Sequence, residues 1–89
     1  MNAILSVVGK DTVGILAGVS TKCAEYQANV MDVTQTVIDE YFAMFMIVNI
    51  DAITIDFNDL VDELSALGKS RGLEIHAMHE DIFNLMHKI

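Results

Sequence analysis

The 89-residue sequence predicts an α+β fold in which two helices cover one face of a four-stranded antiparallel sheet. Three observations predict this fold: four segments carry the β-branched or alternating apolar residues of strands, two others have helical spacing, and their order is β-α-β-β-α-β. This order is typical of the split β-α-β, or ferredoxin-like, pattern. We therefore expect one domain over residues 1–89, with a short helical tail over residues 79–89.

A short turn that contains glycine separates the first strand from the first helix. Residues 3–8 are apolar and partly β-branched, which predicts a buried strand. Between residues 12 and 28, apolar side chains recur at steps of three and four, which predicts a helix. These side chains are Ile15, Leu16, Val19, Cys23 and Tyr26. Asp11 or Thr12 is expected to cap the helix by accepting a backbone N–H bond.

The second and third strands are expected to follow one another in sequence. Residues 29–38 are rich in Val, Thr and Ile and lack a helical repeat, and Asp39 and Glu40 supply a turn. In the third strand, residues 41–51, apolar side chains occur on both faces. A strand that is apolar on both faces needs a cover on both, and the second cover could come from another subunit or from the C-terminal tail. We therefore expect a homo-oligomer, with a dimer as the first candidate.

The second helix is the clearest element of the sequence. Asp56 is the expected N-cap, and Gly68 or Gly72 is free to end the helix. Its apolar stripe consists of Phe57, Leu60, Val61, Leu64 and Leu67. Residues 73–78 alternate apolar and polar side chains, which predicts a fourth strand, and near-helical spacing over residues 80–89 predicts the closing helix.

The chain is acidic, with 13 Asp and Glu against five Lys and Arg. Seven carboxylates lie between Asp39 and Glu63, where there is no Lys or Arg. Such a surface repels phosphate backbones and anionic lipid, so we expect neither nucleic acid nor membrane as a partner. The preferred interpretation of this segment is a solvated face. The apolar runs are too short to cross a bilayer as a helix and no basic segment begins the chain, which indicates a cytoplasmic protein.

Few residues are placed for catalysis or metal binding. Cys23 is the only cysteine, which excludes an intrachain disulfide and a two-cysteine metal site and favours a buried apolar role. His76 and His79 are three residues apart, so their side chains should point in opposite directions, and His87 could approach only if the tail folds back. No nucleophile and base stand at a catalytic spacing. We expect no metal, no cofactor and no enzymatic activity.

The main candidate for a binding site is the turn within Val7–Leu16, VVGKDTVGIL. It is not a phosphate loop, because that motif needs a lysine after its second glycine and here Lys10 precedes Gly14. An acylphosphatase-type loop is not expected either, because it needs an arginine in the first loop. The only arginine of the chain, Arg71, lies at the far end of the second helix.

The G-x-D-x-x-G-I sequence of this turn, followed by a helix and an Asn-Val strand start, resembles the ACT domain, a small regulatory module that senses amino acids. The resemblance extends over essentially the whole chain, which looks most like the small single-ACT proteins of bacteria and archaea. It implies a ligand at a subunit interface, between the glycine turn of one chain and the second strand of another. The residues that it implicates are Asp11, Gly14, Ile15, Leu16, Asn29 and Val30.

These residues suit an amino acid, although each also has a structural alternative. Gly14 lets a backbone approach closely, free N–H groups of a first helical turn suit a carboxylate, and Asn29 can both donate and accept. Equally, Asp11 could only cap the helix, Gly14 could only permit tight packing, and Asn29 could only adopt the unusual backbone angles after the helix. Both interpretations stay open at this point.

The leading hypothesis is a non-enzymatic regulatory module that binds a small metabolite, first of all an amino acid, between subunits. The alternative is a protein-interaction or assembly module that dimerises through its sheet and binds no metabolite, with its acidic face steering a basic partner. A metal-responsive regulator that uses the C-terminal histidines is a weaker third hypothesis.

Overall fold

The computed structural model describes residues 1–86, which form four strands and three helices. Their order is the predicted β-α-β-β-α-β, followed by a C-terminal helix. The elements are β1 (Asn2–Lys10), α1 (Ile15–Glu25), β2 (Asn29–Ile38), β3 (Tyr41–Asn49), α2 (Phe57–Arg71), β4 (Leu73–His79) and α3 (Glu80–Met86). Residues 87–89, which the predicted closing helix includes, lie outside the described part of the chain.

The four strands form one sheet in the order β2-β3-β1-β4, and every neighbouring pair is antiparallel. β1 lies in the centre, where Leu5 pairs with Met46 of β3 on one side and with Ala77 of β4 on the other. This arrangement confirms the predicted ferredoxin-like fold. It also leaves β2 and β4 as the two edge strands, each paired on one side only within the chain.

The hydrophobic core lies between the sheet and the helices α1 and α2. Alternate residues of β1 and β3 point into it, and the two methionines Met44 and Met46 are completely buried there, in the gap-filling role that methionine often has. The largest fully buried side chains are Leu5, Met44, Met46, Leu60, Leu64, Val7, Val19, Val48 and Cys23. The predicted apolar stripes of both helices therefore face the sheet.

The first helix is shorter than the sequence predicts. It begins at Ile15 rather than Thr12, and the expectation that Asp11 or Thr12 caps it is wrong. Gly14 occupies the N-cap position with φ of 84°, a left-handed conformation that glycine adopts without steric cost, and no side chain caps the helix. At its other end the chain leaves the helix through Gln27, with φ of 64°. The unusual backbone angles proposed for Asn29 therefore belong to Gln27.

The second helix has the predicted ends. Asp56 stands at the N-cap position, although its side chain makes no capping hydrogen bond there. Gly72 ends the helix in a left-handed conformation, and its N–H donates to the carbonyl of Gly68. Gly68 itself lies within the helix, where a Cβ would come within 2.7 Å of the Leu73 carbonyl oxygen. This glycine lets α2 run close against β4.

The other face of the sheet, which we name the open face, is only partly covered. It carries the residues of β1 and β3 that alternate with the core positions, among them Val8 and Phe45, which are 46% and 50% exposed. Helix α3 packs against β1 and β4 and lies over one side of this face, where Phe83 lines a depression together with Ile4 and Phe45. The C-terminal tail thus covers the side of the open face formed by β1 and β4, while Phe45 of β3 remains half exposed.

None of the helices within residues 1–86 combines the length and the apolar character that crossing a membrane would require.

Candidate functional site

The candidate site is the segment of residues 11–16 between β1 and α1, which we name the Gly14 turn. The backbone N–H of Asp11 donates to the carbonyl of Glu40 at 2.8 Å, which ties this segment to the turn between β2 and β3. The first bond of the helix joins the N–H of Gly18 to the carbonyl of Gly14 at 2.9 Å. The N–H groups of Ile15, Leu16 and Ala17 therefore lie before the helical ladder, as in the first turn of any α-helix.

The predicted residues of this turn differ in their exposure to solvent. Asp11 and Gly14 are exposed, whereas Ile15 is only 2% exposed and belongs to the core. Leu16 is half-buried and packs against the same core. Ile15 could therefore meet a ligand only through its backbone, and the accessible part of the turn consists of backbone groups and the side chains of residues 11–13.

Asn29 and Val30, the other predicted half of the site, lie at the opposite end of α1. The helix has 11 residues, so its ends are about 16 Å apart at the usual rise per residue. Asn29 is exposed at the start of β2, and its side-chain amide donates to the sulfur of Met31 at 3.2 Å. A shallow hollow of about 320 Å³ lies beside it, lined by Ala24, Gln27, Ala28 and Asn29. Within one chain the two predicted halves do not meet.

Arg71 lies against the Gly14 turn, which the sequence pattern does not indicate. Its guanidinium donates to the carbonyl of Gly14 from Nη1 at 3.0 Å and to the carbonyl of Val13 from Nη2 at 3.2 Å. Arg71 is the last residue of α2, as the sequence indicates, and the antiparallel packing of α1 and α2 brings this end beside the start of α1. The spacing of Gly14 and Gly18, one helical turn apart, was the available signal of a close approach.

Val13 also belongs to the accessible part of the turn. Its side chain is 95% exposed, the largest exposure of any large hydrophobic residue in the described part of the chain. An isolated exposed apolar residue needs no explanation by itself. Its place next to Gly14 means, however, that anything which docks on the turn would meet an apolar side chain as well as backbone groups.

The thiol of Cys23 takes no part in this site. Cys23 is fully buried in the core, and this burial raises the pKa of the thiol from 9.0 to about 11. A buried thiol with a raised pKa is a poor nucleophile, because the thiolate is the reactive form. The expected role of Cys23 as a small apolar core residue is confirmed.

The histidines do not converge on a metal site within residues 1–86. His76 pairs with Ser6 on the open face, whereas the ring of His79 lies against the ring of Phe57, with the centroids 4.3 Å apart, on the helix side. Their predicted opposite orientation is confirmed. No group of three or more His, Cys, Asp or Glu residues in this part of the chain could hold a metal ion. His87 lies outside the described residues.

A second depression lies on the open face, between the sheet and α3. It has a volume of about 200 Å³ and is mostly apolar, with Ser6 and His76 as its polar groups. The His76 ring lies 3.5 Å from the carboxylate of Glu74, which is itself exposed at the edge of the sheet. The residues that line the depression are Ile4, Ser6, Phe45, His76, Ala77, Met78 and Phe83.

A four-stranded ferredoxin-like sheet and a glycine turn that opens the first helix define the class of small ACT-type domains. A family model described as an ACT domain matches residues 2–78, and the chain belongs to the ACT domain family. The chain is 48% identical to a UPF0237 protein of Listeria innocua, over the full length of both. It is 44% identical to a UPF0237 protein of Methanocaldococcus jannaschii, with 97% of this chain and 96% of that protein covered.

Solved structures agree with this assignment. An ACT domain protein from Streptococcus pneumoniae superposes with a TM-score of 0.82 at 46% identity, and the match covers 93% of each chain. A formyltetrahydrofolate deformylase from Pseudomonas syringae gives a TM-score of 0.79 at 16% identity, over 86% of this chain and 26% of the deformylase chain. The second likeness shows the fold alone.

Proposed function

We propose that this protein is a non-enzymatic sensor that binds a small metabolite, first of all an amino acid, between two copies of the chain. The observation that carries the proposal is the separation of the two predicted half-sites by the length of α1. The Gly14 turn and Asn29 cannot act on one small ligand within a chain. A second chain, paired antiparallel along β2, would bring its own Asn29 to the end of the sheet at which the Gly14 turn of the first chain lies.

The edge strand β2 suits such a pairing. It has 10 residues with no proline and no lysine, and its exposed apolar side chains include Val37 at 53% and Ile38 at 69%. A long strand edge is a template for pairing with another strand, and in β2 the register shift between Val30 and Asp32 interrupts this edge only near its start. Antiparallel pairing of β2 with the β2 of a second copy would exchange the two ends of the strand. The start of β2 in one chain would then lie at the same end as the Gly14 turn of the other.

Recognition would follow from ordinary amino-acid chemistry. The N–H groups of the first helical turn suit the carboxylate, and the side-chain amide of Asn29 can accept from the ammonium group. Because both subunits contribute, the ligand would favour the paired arrangement over the separate chains and so shift the population toward it. Such a shift is a signal without a chemical reaction.

The occurrence of this fold as one part of longer proteins of different activity supports a regulatory module. A putative glycine cleavage system transcriptional repressor shares the fold, with a TM-score of 0.72 at 19% identity, and this chain covers 44% of it. The formyltetrahydrofolate deformylase shares with this chain only 26% of its own length. In both proteins the ACT-type fold is therefore one part of a longer chain, as expected of a module that can be attached to different activities.

Thermal-shift measurements against each of the 20 amino acids at millimolar concentration test the proposal. At least one amino acid is expected to raise the unfolding midpoint of the natural chain, because a ligand that binds the folded state stabilises it. The same amino acid should give a smaller shift with Asn29→Ala, while Asn58→Ala, which changes an exposed asparagine of α2, serves as the matched control. Absence of a shift with all 20 amino acids would contradict amino-acid sensing.

The open face supports the second candidate, an assembly module that dimerises through its sheet. Phe45 is half exposed at the centre of β3, beside the apolar depression under α3. A second copy or a partner protein that covered this face would bury Phe45 and need no metabolite. Purification from the native host separates the candidates: a stoichiometric protein partner with no small molecule favours the assembly module, and a retained metabolite favours the sensor.

A further inference from the structure

Arg71 joins the end of α2 to the start of α1. It is half-buried, and its guanidinium donates to two consecutive carbonyl groups, those of Gly14 and Val13. These two residues precede Arg71 by 57 and 58 positions in the sequence. The planar guanidinium can donate from two nitrogens at once, which the single ammonium group of lysine cannot do in the same geometry. The contact therefore depends on arginine and not only on a positive charge.

Gly14 and Gly18 border the space that the guanidinium of Arg71 occupies. A Cβ added to Gly18 would overlap Nη1 of Arg71, and a Cβ added to Gly14 would lie 3.5 Å from Nη2. Gly18 is inside the helix, where glycine is less favourable than alanine, and unlike Gly14 it has no positive φ that would require glycine. The space that the guanidinium occupies is thus a specific reason for glycine at position 18.

The corner that carries Arg71 is itself tightly packed. Gly72 ends α2 with φ of 69°, and Leu73 begins β4 opposite Gly9 of β1. A Cβ on Gly9 would lie 2.6 Å from Cδ2 of Leu73 and 3.0 Å from the carbonyl oxygen of Gly72. Arg71 therefore reaches the Gly14 turn from a part of the chain that has little room to move.

Arg71 makes no ion pair with a carboxylate within residues 1–86, since its partners there are the two carbonyl oxygens. Carbonyl oxygens are neutral, so the bond is held by its geometry and does not depend on the ionisation of a partner. Substitution of Arg71 by lysine is therefore an informative test, because lysine keeps the positive charge but loses the two-nitrogen geometry of the guanidinium.

We propose that Arg71 is a positioning residue, a latch that is seated on Gly14 and Gly18 and holds the Gly14 turn in a single conformation against the end of α2. The turn has no capping side chain, and α1 begins with a left-handed glycine, so its own sequence holds it weakly. The latch supplies the restraint from another element. It acts with or without a ligand and goes beyond the proposed sensing function.

Amide hydrogen exchange of the full chain, without any ligand, tests the latch. Arg71→Ala and Arg71→Lys are both expected to speed exchange by about ten-fold at the amides of residues 18–21, the first that are hydrogen-bonded in α1, while the amides of β1 and β3 keep their protection. Lys69→Ala, which removes a neighbouring exposed cation of α2, is the matched control and should leave all rates unchanged. Unchanged exchange in residues 18–21 of Arg71→Ala, or full protection of these amides in Arg71→Lys, would overturn the latch.

A double-mutant cycle with Gly18→Ala gives a second, independent readout. In the natural chain the added methyl group displaces the guanidinium from the two carbonyl groups, which offsets the gain from alanine in a helix, so the unfolding midpoint should change little. In Arg71→Ala the space of the guanidinium is empty and alanine favours the helix, so the midpoint should rise by about 2–8 °C. An equal effect of Gly18→Ala in both backgrounds would show that Gly18 and Arg71 do not interact. Because neither experiment uses a ligand, a negative result would contradict the latch and leave the sensing proposal untouched. Failure of the sensing proposal would likewise leave the latch untouched.

Discussion

The phenol of Tyr26 donates a hydrogen bond to the carboxylate of Glu63 and so joins the end of α1 to the middle of α2. This hydrogen bond is the main cause that raises the pKa of Tyr26 above 10.0, since a carboxylate acceptor favours the protonated phenol. The bond therefore stabilises the fold fully below pH 10.0, and the stabilisation is lost as the pH rises through the raised pKa of the folded state.

We expect Glu63→Gln to lower the pKa of Tyr26. Glutamine can still accept from the phenol but carries no negative charge, so it favours the protonated form less. The measurement is the ultraviolet absorbance of tyrosinate during an alkaline titration, with Tyr26→Phe to assign the transition. Glu74→Gln, which removes an exposed carboxylate of β4, is the control. A Tyr26 titration that does not move in Glu63→Gln would contradict the hydrogen bond.

Gly9→Ala should destabilise the protein by about 1–3 kcal/mol, the usual cost of inserting a methyl group into a packed region. The new Cβ would lie 2.6 Å from Cδ2 of Leu73 and 3.3 Å from its Cα, so β1 and the corner before β4 would have to separate. Urea unfolding followed by circular dichroism gives the change in free energy of unfolding.

Gly72→Asn is the matched control for Gly9→Ala. A Cβ at this position meets no atom within 4 Å, and asparagine tolerates the left-handed φ of 69° better than other residues do. We expect a smaller loss of stability than for Gly9→Ala. An equal or larger loss in Gly72→Asn would mean that the backbone angles of the corner, and not its packing, limit stability.

Cys23 should react slowly with thiol reagents in the folded protein. With a pKa of about 11 in place of 9.0, the thiolate fraction at pH 8 falls about a hundred-fold, and burial slows access further. Because the folded pKa is the raised one, the thiol contributes stability that is lost as the pH rises from 9.0 to about 11. The measurement is the rate at which a chromogenic disulfide labels Cys23 in buffer, compared with the rate in concentrated urea. Rapid labelling in buffer would show that the core opens at α1.

The order of the elements could be predicted from the sequence because each strand and helix carries its own apolar period. Ile15, Val19 and Cys23 mark the buried side of α1 whether or not its ends are known. The helix begins three residues later than the sequence predicts, and the source of the difference is that Asp11 and Thr12 have the chemistry of N-caps. The φ of Gly14 decides the boundary instead, and a backbone angle is not visible in composition.

The candidate site could be predicted only in part, for a different reason. Residue type and local order indicate Gly14 and Asn29, whose role in binding stays a prediction. No local pattern indicates Arg71, since its contact with Gly14 exists only after α1 and α2 have packed antiparallel and brought together residues 57 apart in sequence. Local patterns report what a segment does by itself, whereas contacts between elements depend on the topology of the whole fold.

The two proposed dimer surfaces make opposite predictions for a matched pair of substitutions. Val37 on β2 and Phe45 on β3 are large apolar residues of nearly equal exposure, 53% and 50%, and lie on the edge and on the open face respectively. If the copies pair through β2, Val37→Lys should dissociate the dimer, because a lysine on an edge strand opposes pairing, while Phe45→Lys leaves it intact. Pairing through the open face predicts the reverse. Light scattering after size-exclusion chromatography at micromolar concentration distinguishes these outcomes.

A clean monomer for the natural chain would contradict both surfaces. The sensing proposal would fail with it, because the Gly14 turn and Asn29 of one chain stand at opposite ends of α1.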